Sequence, residues 1–293
     1  GDWHHYVSIA VDGKAFRLYR DGEFLVETPG NFQAPPVTPQ ASNFGGEAAL
    51  DLDDLRIYDR ALSAAEVQAL YEATPPIPEQ VSGLALWLDA SDVDGDGEAD
   101  TLANGASVSL WADKSGNDRD ANQSAPYATF TYRVGTVETM PGLVLDGSND
   151  YMEILDANVS AANIFAVAKM NQNSASGAAI LTKQGKLCIR RQNQTEALQF
   201  QSPETNGDDF SHPDGLHLVD GQATSSFPYD QLHVIAVGKG SSGSFLGDYS
   251  MLTVGKDTYG SGRHWKGEIA EILIYNRALS TAEIDRIQHY LGQ

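Results

Sequence analysis

A repeated segment constrains the fold of this 293-residue chain more than any other feature. Residues 55–67 (LRIYDRALSAAEV) recur as residues 272–284 (ILIYNRALSTAEI), at a constant offset of 217 residues. Each copy begins with β-forming residues and continues into Ser-x-x-Glu, a pattern in which the serine and the glutamate cap the first turn of a helix. Apolar residues at helical spacing follow in both copies. The repeat therefore predicts two related units, each ending in a strand, a turn and a short amphipathic helix.

A proline-rich segment places the boundary between the two units. Residues 74–80 (TPPIPEQ) contain three prolines, which favour an extended linker because proline lacks the amide hydrogen that helices and sheets require. Residues 81–293 then form a complete module. Residues 1–73 end in the same way but are much shorter, so we expect them to be the C-terminal part of a truncated module.

The remaining sequence predicts antiparallel β structure. Short apolar runs separated by Asp-Gly pairs in residues 7–26 predict a three-stranded meander. Many short strands without long intervening helices favour a β-sandwich or jelly roll in the second unit as well. The strands predicted there are Leu84 to Leu88, Ser107 to Trp111, Leu143 to Leu145, Ile164 to Ala168, Cys188 to Arg190, Leu232 to Val237 and Ile269 to Tyr275.

The charge of the chain excludes some classes of partner. Acidic residues outnumber basic residues 40 to 19, which gives a formal net charge of −21. Such a surface repels phosphate backbones and anionic membrane surfaces, so we do not expect a nucleic-acid partner. Because no apolar run reaches about 18 residues, we do not expect membrane insertion either. An acidic surplus is, however, suited to collecting divalent cations.

One acidic segment matches the start of a calcium loop. Residues 92–100 (DVDGDGEAD) place carboxylates at positions 1, 3 and 5, a glycine at position 6, a backbone carbonyl at position 7 and a further Asp at position 9. Position 12 is Ala103, where an EF-hand has a bidentate Glu, so other groups or water would complete the coordination of a structural Ca²⁺. The alternative is a solvated acidic loop. The predicted metal-binding residues are Asp92, Asp94, Asp96, Glu98 and Asp100.

Candidate sugar-binding residues are less well defined. Trp87 and Trp111 lie in apolar strands and are predicted to be core residues. Trp265 follows a glycine-rich segment, and a partly exposed ring there would stack on a pyranose. The polar loop at residues 206–212 contains Asp208, Asp209 and His212, which could reach a sugar from the rim of a sandwich. A plain solvent-exposed loop is the alternative.

Catalytic motifs are not evident in the sequence. Retaining glycosidases need two carboxylates about 5 to 5.5 Å apart, which sandwich hydrolases obtain from Glu-x-Asp-x-Glu on one strand. No such string occurs, and Glu268 and Glu271 are three positions apart, which predicts opposite faces of a strand. Nucleophile elbows and phosphate-binding loops are also absent. We therefore expect a binding protein rather than an enzyme.

Several segments resemble a known family. Residues 3–11, 18–22 and 53–63 are similar to the second half of laminin-G-like modules of the concanavalin A-like lectin and glucanase superfamily. Residues 83–90 (GLALWLDA), 111–117 (WADKSGN) and 145–151 (LDGSNDY) resemble the bacterial form of the same module. The resemblance implies an all-β jelly-roll sandwich, with a short C-terminal helix closing each module, and often calcium, glycan or protein binding at its rim. Such a fold does not by itself fix function.

The expected function combines this resemblance with the acidic loop. It is an extracellular, calcium-binding, non-catalytic carbohydrate-binding or adhesion module of a larger secreted or surface protein. Its partners would be a glycan or cell-surface ligand and neighbouring modules of the same protein. One alternative is an ancillary binding module of a polysaccharide-degrading enzyme whose catalytic domain lies outside this chain. Another is a structural spacer without a ligand.

Overall fold

The computed structural model divides the chain into two compact units, Gly1–Pro75 and Pro76–Gln293. The division falls within the proline-rich segment. The described residues are 6–11, 15–20, 22–29, 58, 60–72, 78–123, 125, 128–135, 140–183, 187–201, 215–239, 247–258 and 260–292.

The end of the proline-rich segment differs from the extended linker predicted for residues 74–80. Pro78–Gln80 form a 3-10 turn, which the fixed backbone torsion of proline permits. The amide of Val81 donates to the carbonyl of Pro78 at 3.2 Å, and the hydroxyl of Tyr275 donates to the same carbonyl at 3.0 Å. This turn is therefore bonded to the last strand of the second unit.

The first unit contains the predicted meander. Its strands are β1 (Tyr6–Val11), β2 (Ala15–Arg20) and β3 (Glu23–Pro29), which pair in the antiparallel order β1-β2-β3. Helix α1 (Ala64–Glu72) closes the unit. A small core joins the sheet to the helix region, and its buried members are Ile9, Tyr19, Leu62 and Val67. The strand predicted for residues 55–57 lies outside the described residues.

The second unit is built from short antiparallel strands and one helix, α2 (Thr281–Leu291). Its strands are β4 (Leu84–Asp89), β5 (Ser107–Val108), β6 (Leu110–Trp111), β7 (Ala121–Asn122), β8 (Phe130–Arg133), β9 (Gly142–Asp146), β10 (Met152–Ile154), β11 (Val159–Ala161), β12 (Asn163–Met170), β13 (Ala179–Lys183), β14 (Leu187–Arg191), β15 (Leu198–Gln201), β16 (Gly215–Val219), β17 (Leu232–Lys239), β18 (Gly247–Tyr249), β19 (Leu252–Val254) and β20 (Lys266–Tyr275).

Two large sheets pack around one core in this unit. The seven-stranded sheet has the order β15-β14-β13-β19-β10-β7-β6, and the eight-stranded sheet has the order β16-β17-β12-β20-β9-β8-β5, with β4 also paired to β20. Ile272 and Ile274 of β20 belong to the core between the sheets, whereas Leu273 and Tyr275 belong to a second apolar layer with Ile287 of α2. Because β20 is covered on both faces, it is apolar along most of its length. The predicted all-β jelly-roll sandwich with a closing helix is confirmed.

One predicted strand is two strands in different sheets. Ser107–Val108 pair with β8 in the eight-stranded sheet, whereas Leu110–Trp111 pair with β7 in the seven-stranded sheet. The chain passes between the sheets at Ser109. Apolar runs do not reveal such a crossing, because both halves alternate towards the same core.

The predicted capping box of α2 is present and has an additional partner. The hydroxyl of Ser280 accepts from the amide of Glu283, whose carboxylate accepts from the amide of Ser280. Arg277 donates to both carboxylate oxygens of Glu283, at 2.5 and 3.1 Å. These bonds, led by the Arg277 contact, lower the pKa of Glu283 to about 2.

The first unit repeats this arrangement. Ser63 and Glu66 form the reciprocal bonds of a capping box, and Arg60 donates to both oxygens of Glu66, at 2.6 and 3.1 Å. The arginine of the repeated Arg-Ala-Leu-Ser string therefore fixes the helix start in each unit.

Candidate functional site

The acidic loop at residues 92–100 is tied to the sandwich at both ends. The amide of Asp100 donates to the carbonyl of Ser91 at 2.8 Å, which closes the base of the loop. The amide of Ala112 donates to the carbonyl of Val93 at 2.8 Å and joins the loop to the end of β6. Gly95 has a φ of +72°, and a side chain at that position would place its Cβ 2.9 Å from the Cβ of Ala112. The glycine thus serves both the turn and the close approach.

Three of the predicted ligands converge in this loop. Asp92, Asp94 and Asp96 each offer an oxygen atom, and these atoms lie within 4.8 Å of one another. Asp94 and Asp96 are exposed, whereas only 2% of Asp92 is exposed. Over the part of the chain that the structure describes, no second group of three His, Cys, Asp or Glu residues comes together this closely.

The buried carboxylate of Asp92 is only half satisfied by the protein. Its Oδ2 accepts from the amide of Gly97 at 3.0 Å and lies 3.0 Å from Nζ of Lys114. Its Oδ1 is buried and has no hydrogen-bond partner. Leaving such an acceptor unbonded costs about 1–3 kcal/mol, and more when the group is charged. A cation at the loop would remove this cost.

Asp100 and Glu98, the other two predicted ligands, lie outside the group of three converging carboxylates. Burial raises the pKa of Asp100, as do the nearby carboxylates of Asp94, Asp92 and Asp96, although a bond from the amide of Val93 opposes the rise. Asp100 therefore belongs to the same electrostatic cluster.

Glu98 is exposed, and its amide donates to Oδ1 of Asp96 at 2.8 Å. Its carboxylate is not one of the three that converge. The sequence predicts that Glu98, at loop position 7, binds through its backbone carbonyl. The position of its side chain therefore does not test that prediction.

A lysine from outside the loop completes the cluster. Nζ of Lys114 lies 2.8 Å from Oδ2 of Asp89, 3.0 Å from Oδ2 of Asp92 and 4.2 Å from the ring centroid of Trp87. Burial lowers the pKa of Lys114, but the two carboxylates outweigh this and leave the pKa raised. Lys114 could not be predicted as part of this site from the sequence, because it follows the loop by more than ten positions and no local spacing pattern connects the two.

Two buried glutamates of β20 correct another expectation. Glu268 pairs with Lys169 and Glu271 with Val167, and the register shifts between Val167 and Ala168. This β-bulge puts Glu268 and Glu271 on the same face of the sheet, because the extra residue changes the alternation of side chains. The prediction that they face opposite ways is therefore wrong.

Each of these glutamates already has partners within the chain. Glu268 forms ion pairs with Arg133 and Lys169. Glu271 accepts from Nε1 of Trp87 at 2.7 Å, and burial, together with the nearby Asp89, raises its pKa to about 8. Neither side chain is presented to solvent as a member of an open acid pair.

The three tryptophans of the second unit are core residues. Trp87 and Trp111 are buried as predicted. Trp265 is also buried, with 0% exposure, and its Nε1 donates to the carbonyl of Lys169 at 3.1 Å. A ring enclosed in this way has no face for a sugar, which corrects the expectation of partial exposure. The other candidate sugar ligands, Asp208, Asp209 and His212, lie outside the described residues.

A polar row crosses the outer face of the seven-stranded sheet. Side chains that alternate along a strand with core residues such as Met152 point away from the core. Residues that pair across neighbouring strands lie on the same face. The polar side chains of this row that the structure describes are Thr182, Thr253, Glu153 and Asn122, and the apolar Leu110 ends it; we call this row the polar sheet face.

The polar sheet face is covered at one end and open at the other. Thr182 and Thr253 are each 1% exposed, and the hydroxyl of Thr182 donates to the carbonyl of Lys256 at 2.7 Å. Asn122 is exposed, and Glu153 is half-buried. Tyr151 lies just before β10 and is also half-buried, with Nζ of Lys256 4.5 Å from its ring centroid.

The two sheets and their shared core form an all-β jelly-roll sandwich. The family model described as the Concanavalin A-like lectin/glucanases superfamily matches residues 1–68, and the predicted resemblance is confirmed there. No curated protein sequence matches the chain. No helix among the described residues is long and apolar enough to cross a membrane.

Three solved structures illustrate the similarity in fold. One is domain 4 of AbnA, a GH43 extracellular arabinanase from Geobacillus stearothermophilus in complex with arabinotriose, with 16% identity and a TM-score of 0.45 over 72% of this chain and 98% of that one. The others are Trypanosoma rangeli sialidase with sialic acid (14% identity, TM-score 0.40) and with the inhibitor DANA (13%, 0.42). Each sialidase match covers 97% of this chain and 52% of the sialidase.

Proposed function

We propose that this chain is a non-catalytic carbohydrate-binding or adhesion module of a larger secreted or surface protein, with a structural calcium ion in its acidic loop. The observation that supports the calcium part of this proposal is the environment of the Asp92 carboxylate. This carboxylate is buried, it lies within reach of two further carboxylates, and its Oδ1 has no partner in the protein.

The donor set favours calcium over other metals. The loop offers carboxylates from Asp92, Asp94, Asp96 and Asp100, and the carbonyl of Glu98 and water would supply further oxygens. Calcium takes six to eight oxygen ligands in flexible geometry, whereas zinc sites use His and Cys. The loop contains neither His nor Cys.

Thermal unfolding with and without calcium tests this part. We expect the chain to melt at a higher temperature in calcium than in EDTA, because an ion that binds only the folded state stabilises it. Asp94→Ala combined with Asp96→Ala should abolish the difference. Glu196→Ala, which removes an exposed carboxylate outside the loop, should retain it. Identical melting curves for the wild type in calcium and EDTA would overturn the proposal.

The open end of the polar sheet face is the surface we propose for a glycan. Tyr151 provides a half-buried aromatic ring with Nζ of Lys256 over one face, and Asn122 and Glu153, which pair in the same sheet, provide further hydrogen-bonding groups. Sugar recognition needs this combination of an apolar ring face and fixed polar groups. Glu153 is the one carboxylate among the strand residues of the seven-stranded sheet, which favours binding over acid-pair hydrolysis.

A glycan array probed in calcium and in EDTA tests the second part. Arabinotriose is a first probe, since it is the ligand in one similar solved structure. We expect binding that Tyr151→Ala weakens by about two- to tenfold, because an aromatic contact contributes about 0.5–1.5 kcal/mol. Leu155→Ala, which removes an exposed apolar side chain just beyond β10, is the control. Absence of binding to every glycan in both conditions would leave a structural spacer.

A further inference from the structure

We propose that Lys114 is a built-in counter-ion of the calcium loop. Its ammonium group neutralises part of the buried negative charge when no ion is bound, and it weakens calcium binding when an ion is present. This inference rests on the proposed calcium site and describes how that site is regulated. It assigns to Lys114 a role that the loop motif itself does not contain.

The ammonium group of Lys114 is enclosed between two carboxylates. It lies 2.8 Å from Oδ2 of Asp89 and 3.0 Å from Oδ2 of Asp92, and the exposed fractions of these three side chains are 15%, 7% and 3%, respectively. Trp87 covers the same group with its ring face at 4.2 Å. Charges buried this far are weakly screened by salt, so their interaction is much stronger than that of a surface pair.

The two carboxylate oxygens of Asp92 differ in their partners. Oδ2 is held by Lys114 and by the amide of Gly97, whereas Oδ1 has no partner. A calcium ion can therefore bind Oδ1 without displacing the lysine. Both cations would then share one carboxylate, and they would repel each other.

The same charge therefore has opposite effects in the two states. Without calcium, removal of Lys114 leaves Asp89 and Asp92 close together, buried and without a cation, which destabilises the folded state. With calcium, the bound ion compensates the charge of Asp92, and removal of Lys114 also removes the repulsion between the ammonium group and the ion. A charge of opposite sign within about 4–6 Å changes the proton affinity of a carboxyl by about one to three powers of ten, and a like charge acts in the reverse direction. We expect at least a tenfold change for a divalent ion.

Lys114→Met tests the inference, because methionine retains the apolar stem and removes the charge. We expect this variant to unfold at lower temperature than the wild type in EDTA. We also expect it to bind calcium at least about tenfold more tightly by titration calorimetry, with a larger calcium-induced rise in melting temperature. Lys114→Arg keeps the charge and should show a calcium affinity close to that of the wild type.

The outcomes separate this inference from the proposed calcium site. If calcium does not change the melting temperature of the wild type, the proposed calcium site is wrong. The comparison of the wild type with Lys114→Met in EDTA then still tests whether the lysine compensates the buried carboxylates. If the wild type responds but Lys114→Met is as stable as the wild type in EDTA, the counter-ion inference is wrong. A calcium affinity of Lys114→Met that is equal to or weaker than that of the wild type would also overturn it.

A second variant covers the case in which Lys114→Met does not fold. Asp89→Asn combined with Lys114→Met removes one negative and one positive charge together and leaves Asp92 as the remaining ionised partner. We expect this double variant to fold in calcium and to bind calcium more tightly than Asp89→Asn alone, which has the same loss of negative charge. Equal calcium affinities of the double variant and Asp89→Asn would contradict the role of the lysine charge.

Discussion

The acidic loop at residues 92–100 and the acidic turn at residues 146–150 use a buried carboxylate in different ways. In the turn, Oδ2 of Asp150 accepts from the amide of Asp146 at 2.7 Å, and Oδ1 of Asp146 accepts from the amide of Ser148 at 2.7 Å. Both bonds are local, and the second is that of an Asx turn. In the loop, one oxygen of Asp92 has no such bond. The difference teaches that an unsatisfied buried oxygen, rather than a high density of Asp, distinguishes a candidate ion site from a turn.

Asp92→Asn should produce the largest loss of calcium-dependent stability. Without such a loss, the contrast drawn between the loop and the turn would be wrong. At a calcium concentration about 100 times the dissociation constant, a bound ion stabilises the folded state by about 2.7 kcal/mol. For a unit of this size that corresponds to a rise in melting temperature of about 5–10 °C. The variant should lose most of this rise in scanning calorimetry, because it replaces the buried anionic ligand with an amide. A full calcium response in Asp92→Asn would mean that the loop holds no ion through this residue.

Asp150→Ala should produce an intermediate effect that does not depend on calcium. The substitution removes the acceptor for the amide of Asp146, and hydrogen bonds to charged groups contribute about 1.5–3 kcal/mol. We expect the same loss in calcium and in EDTA, measured by urea unfolding. A loss that appears only in calcium would instead make the turn part of an ion site.

The pH dependence of Asp150→Asn sharpens the same point. Burial raises the pKa of Asp150, despite the bond from the amide of Asp146. A carboxyl whose pKa is higher in the folded state contributes most to stability below its unfolded pKa, and the contribution is lost as pH rises through the folded value. The wild type should therefore gain stability relative to Asp150→Asn as pH falls from 7 to 4. A constant difference across this range would contradict the burial argument.

The sequence predicted most of the local structure of the second unit. The Ser280 capping box, the end of β20 and the turn glycine Gly97 follow from short-range rules of helix caps, strand propensity and turn conformation. The same rules found the meander of the first unit. These features depend on residues that are close in the sequence, and so a single sequence contains the necessary information.

Features set by tertiary packing were not predictable in this way. Trp265 is enclosed by strands far away in the sequence, and the β-bulge opposite Val167 decides which way Glu271 points. Lys114 reaches Asp89 and Asp92 only because β4 and the segment after β6 are neighbours in the fold. Local spacing contains no signal for these contacts, which is why the candidate metal site was found without its counter-ion.

Glu98→Ala should produce the smallest effect and completes the comparison within the loop itself. It removes one negative charge from the same nine residues, but Glu98 is exposed and its carboxylate lies outside the converging group. Exposed substitutions of this kind change stability by about 0.5 kcal/mol or less. The calcium-induced rise in melting temperature should therefore remain close to that of the wild type, because the backbone carbonyl at this position is unchanged. A loss as large as that of Asp92→Asn would show that total loop charge, rather than the buried oxygen of Asp92, determines ion binding.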